Sequence, residues 1–165
     1  MTREPASAPA EAIPRQAARV LLIDAADRVL MLRGFDPARP DIRYWFTVGG
    51  GLDPGESSLD GAVRELREEV GLQLSPSDLT GPVHHETVRF PFDGRWYEQR
   101  QAFYVARIDT WNVDTSGQDE VELATVDAYR WWSVDELAAT GERYYPPDLI
   151  DLIRRVLGGA HDSGH

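Results

Sequence analysis

Apolar runs broken by short polar stretches recur along most of the chain, and their periods divide it into strands and helices. Ala17–Asp24 and Val29–Gly34 are apolar runs too short for helices, parted by Ala25–Arg28; they predict two strands joined by a tight turn. The loop Phe35–Arg43 holds two prolines, and Tyr44–Val48 follows as a third short strand. At Ser58 the apolar period lengthens to that of a helix. Leu59, Ala62, Val63, Leu66 and Val70 fall on one stripe, Ser57 stands ready to cap the start with Asp60 three residues on, and Gly71 suits the residue after the end. Gly81–Phe92 and Arg95–Ile108 read as strands around an Asp93-Gly94 turn. Ser116–Thr125 reads as an acidic loop or short helix, Ala128–Trp132 as a last strand, and Ser133 caps a short helix. Pro146–Gly159 predicts a C-terminal helix with proline at its start and glycine at its end. Strands outnumber helices and most connections look like hairpins, which predicts an α+β sandwich rather than a doubly wound sheet.

At 165 residues the chain is sized for one domain. Residues 1–16, rich in Pro and Ala, read as a flexible lead, residues 17–157 as the domain and residues 158–165 as a flexible tail. The lead lacks the continuous apolar stretch of a signal peptide, and nowhere do roughly 18 apolar residues run unbroken. The expectation is a cytoplasmic protein with no membrane partner. The net charge of −11 argues against a nucleic-acid partner, which needs a basic stripe. It leaves small phosphorylated ligands open, because a bound cation can reverse the local sign. Two absences narrow the chemistry further. Without cysteine there are no disulfides, thiol nucleophiles or thiolate zinc sites. All 17 basic residues are arginine, and without lysine there is neither Schiff-base chemistry nor a P-loop. Gly49–Gly51 therefore do not begin a Walker motif.

Glu65, Glu68 and Glu69 are helical neighbours on the edge beside the apolar stripe, and Arg64, four residues before Glu68, can pair with it. Like charges on an exposed helix cost only about 0.2–0.5 kcal/mol per pair, so this cluster alone is more often a solvated face than a site. Walled from water, the balance changes. Two carboxylates about 6 Å apart at an effective dielectric of 20 repel by roughly 3 kcal/mol, which a divalent cation would offset. Hard oxygen ligands would select Mg²⁺, Mn²⁺ or Ca²⁺.

The cluster also sits in a longer pattern. From Gly50 come five residues, Glu56, seven residues, and then Arg64-Glu65-Leu66-x-Glu68-Glu69-x-Gly71-Leu72. This resembles, at all nine fixed positions, the Nudix box of the Nudix hydrolases, G-x5-E-x7-R-E-U-x-E-E-x-G-U with U aliphatic. Arg19–Gly34 before it and Tyr129–Leu137 after it look like the family's flanking strand pair and its late Trp strand with helix, so the resemblance spans about residues 17–157. Val48 departs from the proline that many relatives carry before the glycines.

The resemblance implies a Nudix-type α/β/α sandwich with a mixed central sheet. It implies hydrolysis of a diphosphate linkage in a nucleoside diphosphate derivative or (d)NTP, by a water that a divalent metal, Mg²⁺ or Mn²⁺, helps to attack. Glu65, Glu68 and Glu69 would be metal ligands, with the Gly50 carbonyl beside them. Arg64 would orient the carboxylates, and Glu56 would serve the outer shell or a second metal. Arg64, Glu65, Glu68 and Glu56 form the catalytic set by this likeness; the general base is one of the box glutamates or a later acid. The partner is a small-molecule nucleotide, and a homodimer stays open. The alternative is a non-catalytic nucleotide-sensing module, though such modules commonly lose box glutamates and none is missing here. Isopentenyl diphosphate isomerase, a relative with different chemistry, uses a cysteine that is absent.

Outside the box, Asp119, Glu120 and Glu122 are the later acids best placed to help, weighed evenly against a solvated loop. His84 and His85 are adjacent in a strand, point to opposite faces and read as structural. Phe35, Tyr44, Trp45, Trp96 and Tyr97 could stack on a base, though strand aromatics are more often core. Arg33, Arg39, Arg43, Arg89, Arg95 and Arg100 could grip phosphate, and no single one stands out.

Overall fold

The structure is a computed structural model that describes residues 11–162, with side chains through residue 158. Its elements in chain order are β1 (Ile13–Ile23), β2 (Val29–Gly34), β3 (Tyr44–Gly51), α1 (Ser58–Val70), β4 (Thr80–Phe92), β5 (Arg95–Arg107), α2 (Glu120–Thr125), β6 (Val126–Trp132), α3 (Val134–Ala139), β7 (Tyr144–Tyr145) and α4 (Leu149–Asp162), with a 3₁₀ turn at Pro76–Asp78. The strands form one sheet in the order β4-β5-β1-β2-β3-β7, with β6 paired to β2 and β1 also paired to β3. β1 runs parallel to β5 from Ile13 opposite Tyr97 to Ile23 opposite Arg107, and most other pairings are antiparallel, so the sheet is mixed.

The apolar run of β1 is continuous because both faces of the sheet are covered. Ala18, Val20 and Leu22 point to one side and join Leu30, Leu32 and Val48 under Ala62, Leu66 and Val70 of α1. Leu21 and Ile23 point to the other side, with Val29, Met31 and Phe103 against Leu137 of α3 and Leu149, Leu152 and Ile153 of α4. Trp45 meets Trp132 edge-on in this second layer at 5.2 Å. Each fully buried aliphatic side chain contributes roughly 1.5–3 kcal/mol. The expected α/β/α sandwich is the fold.

β3 is shared between two partners. Tyr44–Thr47 pair with Gly34–Met31 of β2, and Val48–Gly51 pair with Val20–Ala17 of β1. That seam carries Gly49–Gly51 across the sheet to the edge where α1 begins.

The ends of the elements differ from the sequence reading in places. β1 starts at Ile13, ahead of Ala17, because Ile13–Gln16 find backbone partners in Tyr97–Arg100 while their side chains stay exposed and carry no apolar signal. α4 starts at Leu149, past both prolines, and runs to Asp162, into the stretch read as tail. The remainder of the expected tail, residues 163–165, and residues 1–10 of the expected lead lie outside the described residues.

Candidate active site

α1 is bracketed as its sequence predicts. Ser57 Oγ accepts from Asp60 N at 3.1 Å, and Gly71, at φ 79°, turns the chain so that its own N–H and that of Leu72 reach the carbonyls of Arg67 and Leu66. The buried stripe is rotated from the one expected: Val63 is only half-buried, whereas Glu65 and Glu69 are buried with Ala62, Leu66 and Val70. Two carboxylates thus lie inside the rim between α1 and the seam of the sheet.

Arg64 organises this rim. Its Nε and Nη2 donate to the two oxygens of Glu56 at 2.8 Å each, its Nη1 to Glu68 at 3.0 Å and to Glu65 at 3.3 Å, and its Nη2 to the Gly51 carbonyl at 2.9 Å. Asp53 adds an ion pair at 3.3 Å. The hydrogen bond from Arg64 holds Glu56 below the usual carboxylate range, and the same contact holds the guanidinium above its ordinary value. Arg64 therefore fixes Glu56 most tightly and steadies Glu65 and Glu68 from one side.

Gly49 and Gly50 bring the sheet against the helix. The Gly49 N–H donates to Glu69 Oε1 at 2.8 Å. At φ 144° and with the Ala18 carbonyl in the way of any Cβ, position 49 admits only glycine. A Cβ on Gly50 would lie 2.6 Å from Glu65 Oε2, so that carboxylate rests directly on the backbone.

A third carboxylate comes from α2. Oxygens of Glu65, Glu69 and Glu122 all lie within 4.8 Å of one another. Burial pushes the Glu65 carboxyl up to about 7, with Arg64 pulling the other way. Burial, then the neighbouring Glu65, pushes Glu69 well above its usual range, and the Gly49 N–H offsets part of this. Two enclosed acids that resist ionising alone, converging with a third, make a hard-oxygen donor set that fits a divalent cation.

α2 is held in reach by the loop before it. Gln118 Nε2 donates to the Glu69 carbonyl at 3.0 Å and to Tyr129 Oη at 2.6 Å, and Trp111 Nε1 donates to the Val70 carbonyl at 2.8 Å. Asp119 caps α2, accepting from Glu122 N at 2.8 Å, while Glu120 is exposed. Of the three later acids, only Glu122 joins the cluster. Glu68 stays beside it on Arg64, 38% exposed.

The other singled-out residues lie elsewhere. Trp45 is core, its Nε1 donating to Glu142 at 3.0 Å. Tyr44 is half-buried against Phe46 and Tyr145. Tyr97 stacks on Phe90 in the β4–β5 hairpin, where Trp96 is half-buried and Arg89 pairs with Glu98. Arg33 and Arg43 share Asp127, Phe35 lies under Arg43, and Arg39 and Arg95 are exposed. Arg100 and His85 line a groove of about 390 Å³ beside Ser58. His84 takes the opposite face, 3.2 Å from Glu86, so the histidines do not converge. Sequence reading passed over Arg19, which donates to the Thr47 carbonyl at 3.2 Å and brings positive charge toward Glu69 and Glu65. An arginine inside an apolar strand run was the available signal. Gln118 carried none.

The NUDIX domain family model matches residues 13–153. The chain is 30% identical to an RNA pyrophosphohydrolase of Rhodospirillum rubrum across 97% of both chains. It is 33% identical to the nucleoside triphosphatase NudI of Salmonella paratyphi B over 57% of this chain and 64% of that one. The MutT protein of Methanosarcina mazei Go1 shares its fold with a TM-score of 0.63 at 21% identity, over 89% of this chain and 95% of that one.

Proposed function

Because the chain belongs to the Nudix hydrolase family and is an enzyme acting on pyrophosphate bonds, we propose that it is a divalent-metal-dependent pyrophosphohydrolase of nucleoside diphosphate derivatives or (d)NTPs. The observation that carries this reading is the convergence of Glu65, Glu69 and Glu122 at a rim built by the complete box. Glu65, Glu69 and Glu122 would hold the cation, with Glu68 and the Gly50 carbonyl alongside. Mg²⁺ or Mn²⁺ there would offset the charge of the diphosphate and activate the attacking water.

The chain's own residues supply the remainder. Arg64 keeps Glu56, Glu65 and Glu68 in fixed directions, so little reorganisation is needed when substrate arrives. The Gly49 N–H and Arg19 stabilise the ionised form of Glu69, in which it can act as a ligand. A general base must lie within hydrogen-bond reach of the water, and beside the buried Glu65 and Glu69 the acids Glu68 and Glu122 are the ones more open to it.

Two substrate classes have support. The net charge of −11 favours a small nucleotide. The full-length likeness to an RNA pyrophosphohydrolase favours adding the 5′ diphosphate of RNA to the range. No described helix is long and apolar enough to cross a membrane, and a cytoplasmic setting fits nucleotide chemistry.

The test is product release from a panel of (d)NTPs, dinucleoside polyphosphates, nucleotide sugars and 5′-triphosphorylated RNA with Mg²⁺ or Mn²⁺, comparing wild type with Glu69→Gln. Turnover that needs the metal and falls at least about a hundredfold in the variant is expected. Equal turnover in both proteins, or turnover indifferent to chelation, would sink the reading.

A further inference from the structure

Tyr129 on β6 stands opposite Leu32 of β2, on the face of the sheet that α1 covers. Glu65 and Glu69 of α1 are buried on that same side, and Glu122 of α2 converges on them there. The Tyr129 ring packs on the apolar layer and is half-buried, while its hydroxyl meets Gln118, which is 7% exposed. Gln118 Nε2 lies 3.0 Å from the Glu69 carbonyl and 2.6 Å from Tyr129 Oη. A carbonyl can only accept, so the amide turns its nitrogen, not its oxygen, to Glu69. That nitrogen then also faces Tyr129, whose Oη is the acceptor in the pair. A phenol carries one proton, held near the plane of its ring on one side of the oxygen or the other. The amide N–H occupies one side, so the proton takes the other. Among the described residues no atom accepts it.

This free donor belongs to the site. Burial, opposed by the Gln118 contact and joined by the charges of Glu69 and Glu122, holds the phenol above its ordinary value, so it stays protonated at neutral pH. Both of those carboxylates are engaged elsewhere. Glu69 Oε1 accepts from Gly49 N at 2.8 Å, Glu122 Oε1 accepts from Asp119 N at 3.1 Å, and both acids converge with Glu65. The acceptor that suits a preoriented O–H beside three carboxylates is an oxygen that arrives with the substrate.

We propose that Tyr129 is a substrate-binding residue whose hydroxyl donates to a non-bridging oxygen of the diphosphate. The ligand chemistry is an anionic phosphate oxygen, which an O–H meets with a short, charge-assisted hydrogen bond. The identity of that ligand as substrate rests on the pyrophosphohydrolase reading. Gln118 then positions two groups at once: it holds α2 against α1, and it turns the phenolic proton away from itself.

The experiment measures two affinities in wild type and Tyr129→Phe. The first is for Mn²⁺ alone, from its electron paramagnetic resonance signal. The second is for methylenediphosphonate, a diphosphate whose bridge resists hydrolysis, by titration calorimetry with Mn²⁺ at saturation. Tyr129→Phe is expected to bind Mn²⁺ within twofold of wild type and methylenediphosphonate about tenfold more weakly, the effect of losing one charged hydrogen bond. Unchanged methylenediphosphonate affinity overturns the inference. So does Mn²⁺ affinity that falls as far as the diphosphonate affinity, the mark of a tyrosine that only props Gln118 and, through it, Glu122. Should Tyr129→Phe lose its thermal transition, wild type labelled with ζ-¹³C-tyrosine takes its place. A Tyr129 resonance that moves on adding methylenediphosphonate, beyond any shift with Mg²⁺ alone, supports the hydrogen bond; one that stays overturns it. A wild type that binds no methylenediphosphonate with Mn²⁺ sinks the pyrophosphohydrolase reading and the assignment of Tyr129 with it. Equal binding in wild type and variant sinks the assignment alone.

Discussion

Glu65 shows how a single carboxyl couples stability to the site. Unfolded, it ionises near pH 4.5; folded, burial holds its proton up to about pH 7. Between those values the folded state binds more protons than the unfolded one, so stability falls as pH rises. The penalty is absent below about pH 4.5 and complete above about pH 7, and a shift of this size corresponds to about 3 kcal/mol. Thermal unfolding in EDTA should therefore show a midpoint that declines from pH 5 to 7.5. Mg²⁺ should restore it at neutral pH, and in Glu65→Gln the decline should be shallower, what remains belonging to Glu69, whose burial the substitution leaves in place. A flat profile in wild type would mean that the carboxyl is better solvated than its burial implies. Gly50 probes the same contact from the sheet. In Gly50→Ala the new Cβ meets Glu65 Oε2, the movable end of a side chain, so the carboxylate is displaced while the backbone stays. The expected result is a thermal midpoint within a few degrees of wild type and kcat down at least about tenfold. The reverse pattern, an unfolded protein or full activity, would contradict that account.

At the level of elements, the helix and the loop before it act as one unit because Arg64 joins them. Lysine keeps the charge at position 64 but cannot make the paired bonds to Glu56 while also reaching Gly51, Glu65 and Glu68. Arg64→Lys should lower kcat by about tenfold to a hundredfold and cost about 1–3 kcal/mol in urea unfolding, reflecting charged hydrogen bonds lost from a largely buried group. Activity within twofold of wild type would show that the carboxylates orient themselves. How far the sequence revealed these elements depends on how local each signal is. The bounds of α1, its cap and its Gly71 stop were legible because a capping serine, a helical period and a glycine all act within a few residues. The edge of the buried stripe was not: period alone cannot tell that Glu65 and Glu69 turn inward while Val63 stays half-buried. Glu122 was visible only as one of three acids. What singles it out is the grip of Gln118 on α1, a contact between residues 49 positions apart. The start of β1 left no trace either, since strand pairing with β5 engages backbone and leaves Ile13–Gln16 exposed.

For the whole molecule, the two apolar layers share one sheet, and β1 sends alternate side chains into both. Damage to either layer should then appear in a single transition. Leu66→Ala on the α1 side and Ile153→Ala on the α4 side should each cost about 2–5 kcal/mol, with far-UV circular dichroism and tryptophan fluorescence giving coincident unfolding curves. Separate transitions would mean that the layers fold independently. The same shared sheet gives the molecule a spectroscopic handle. The amide of Gly49 belongs to β3 but ends on the carboxylate of Glu69, which belongs to the helix above. Its proton resonance must move when that carboxylate gains or loses a proton or takes up a cation. One backbone signal, in the uncrowded glycine region of an ¹⁵N-correlated spectrum, thus reads the charge of the site from inside the scaffold, without substrate or label.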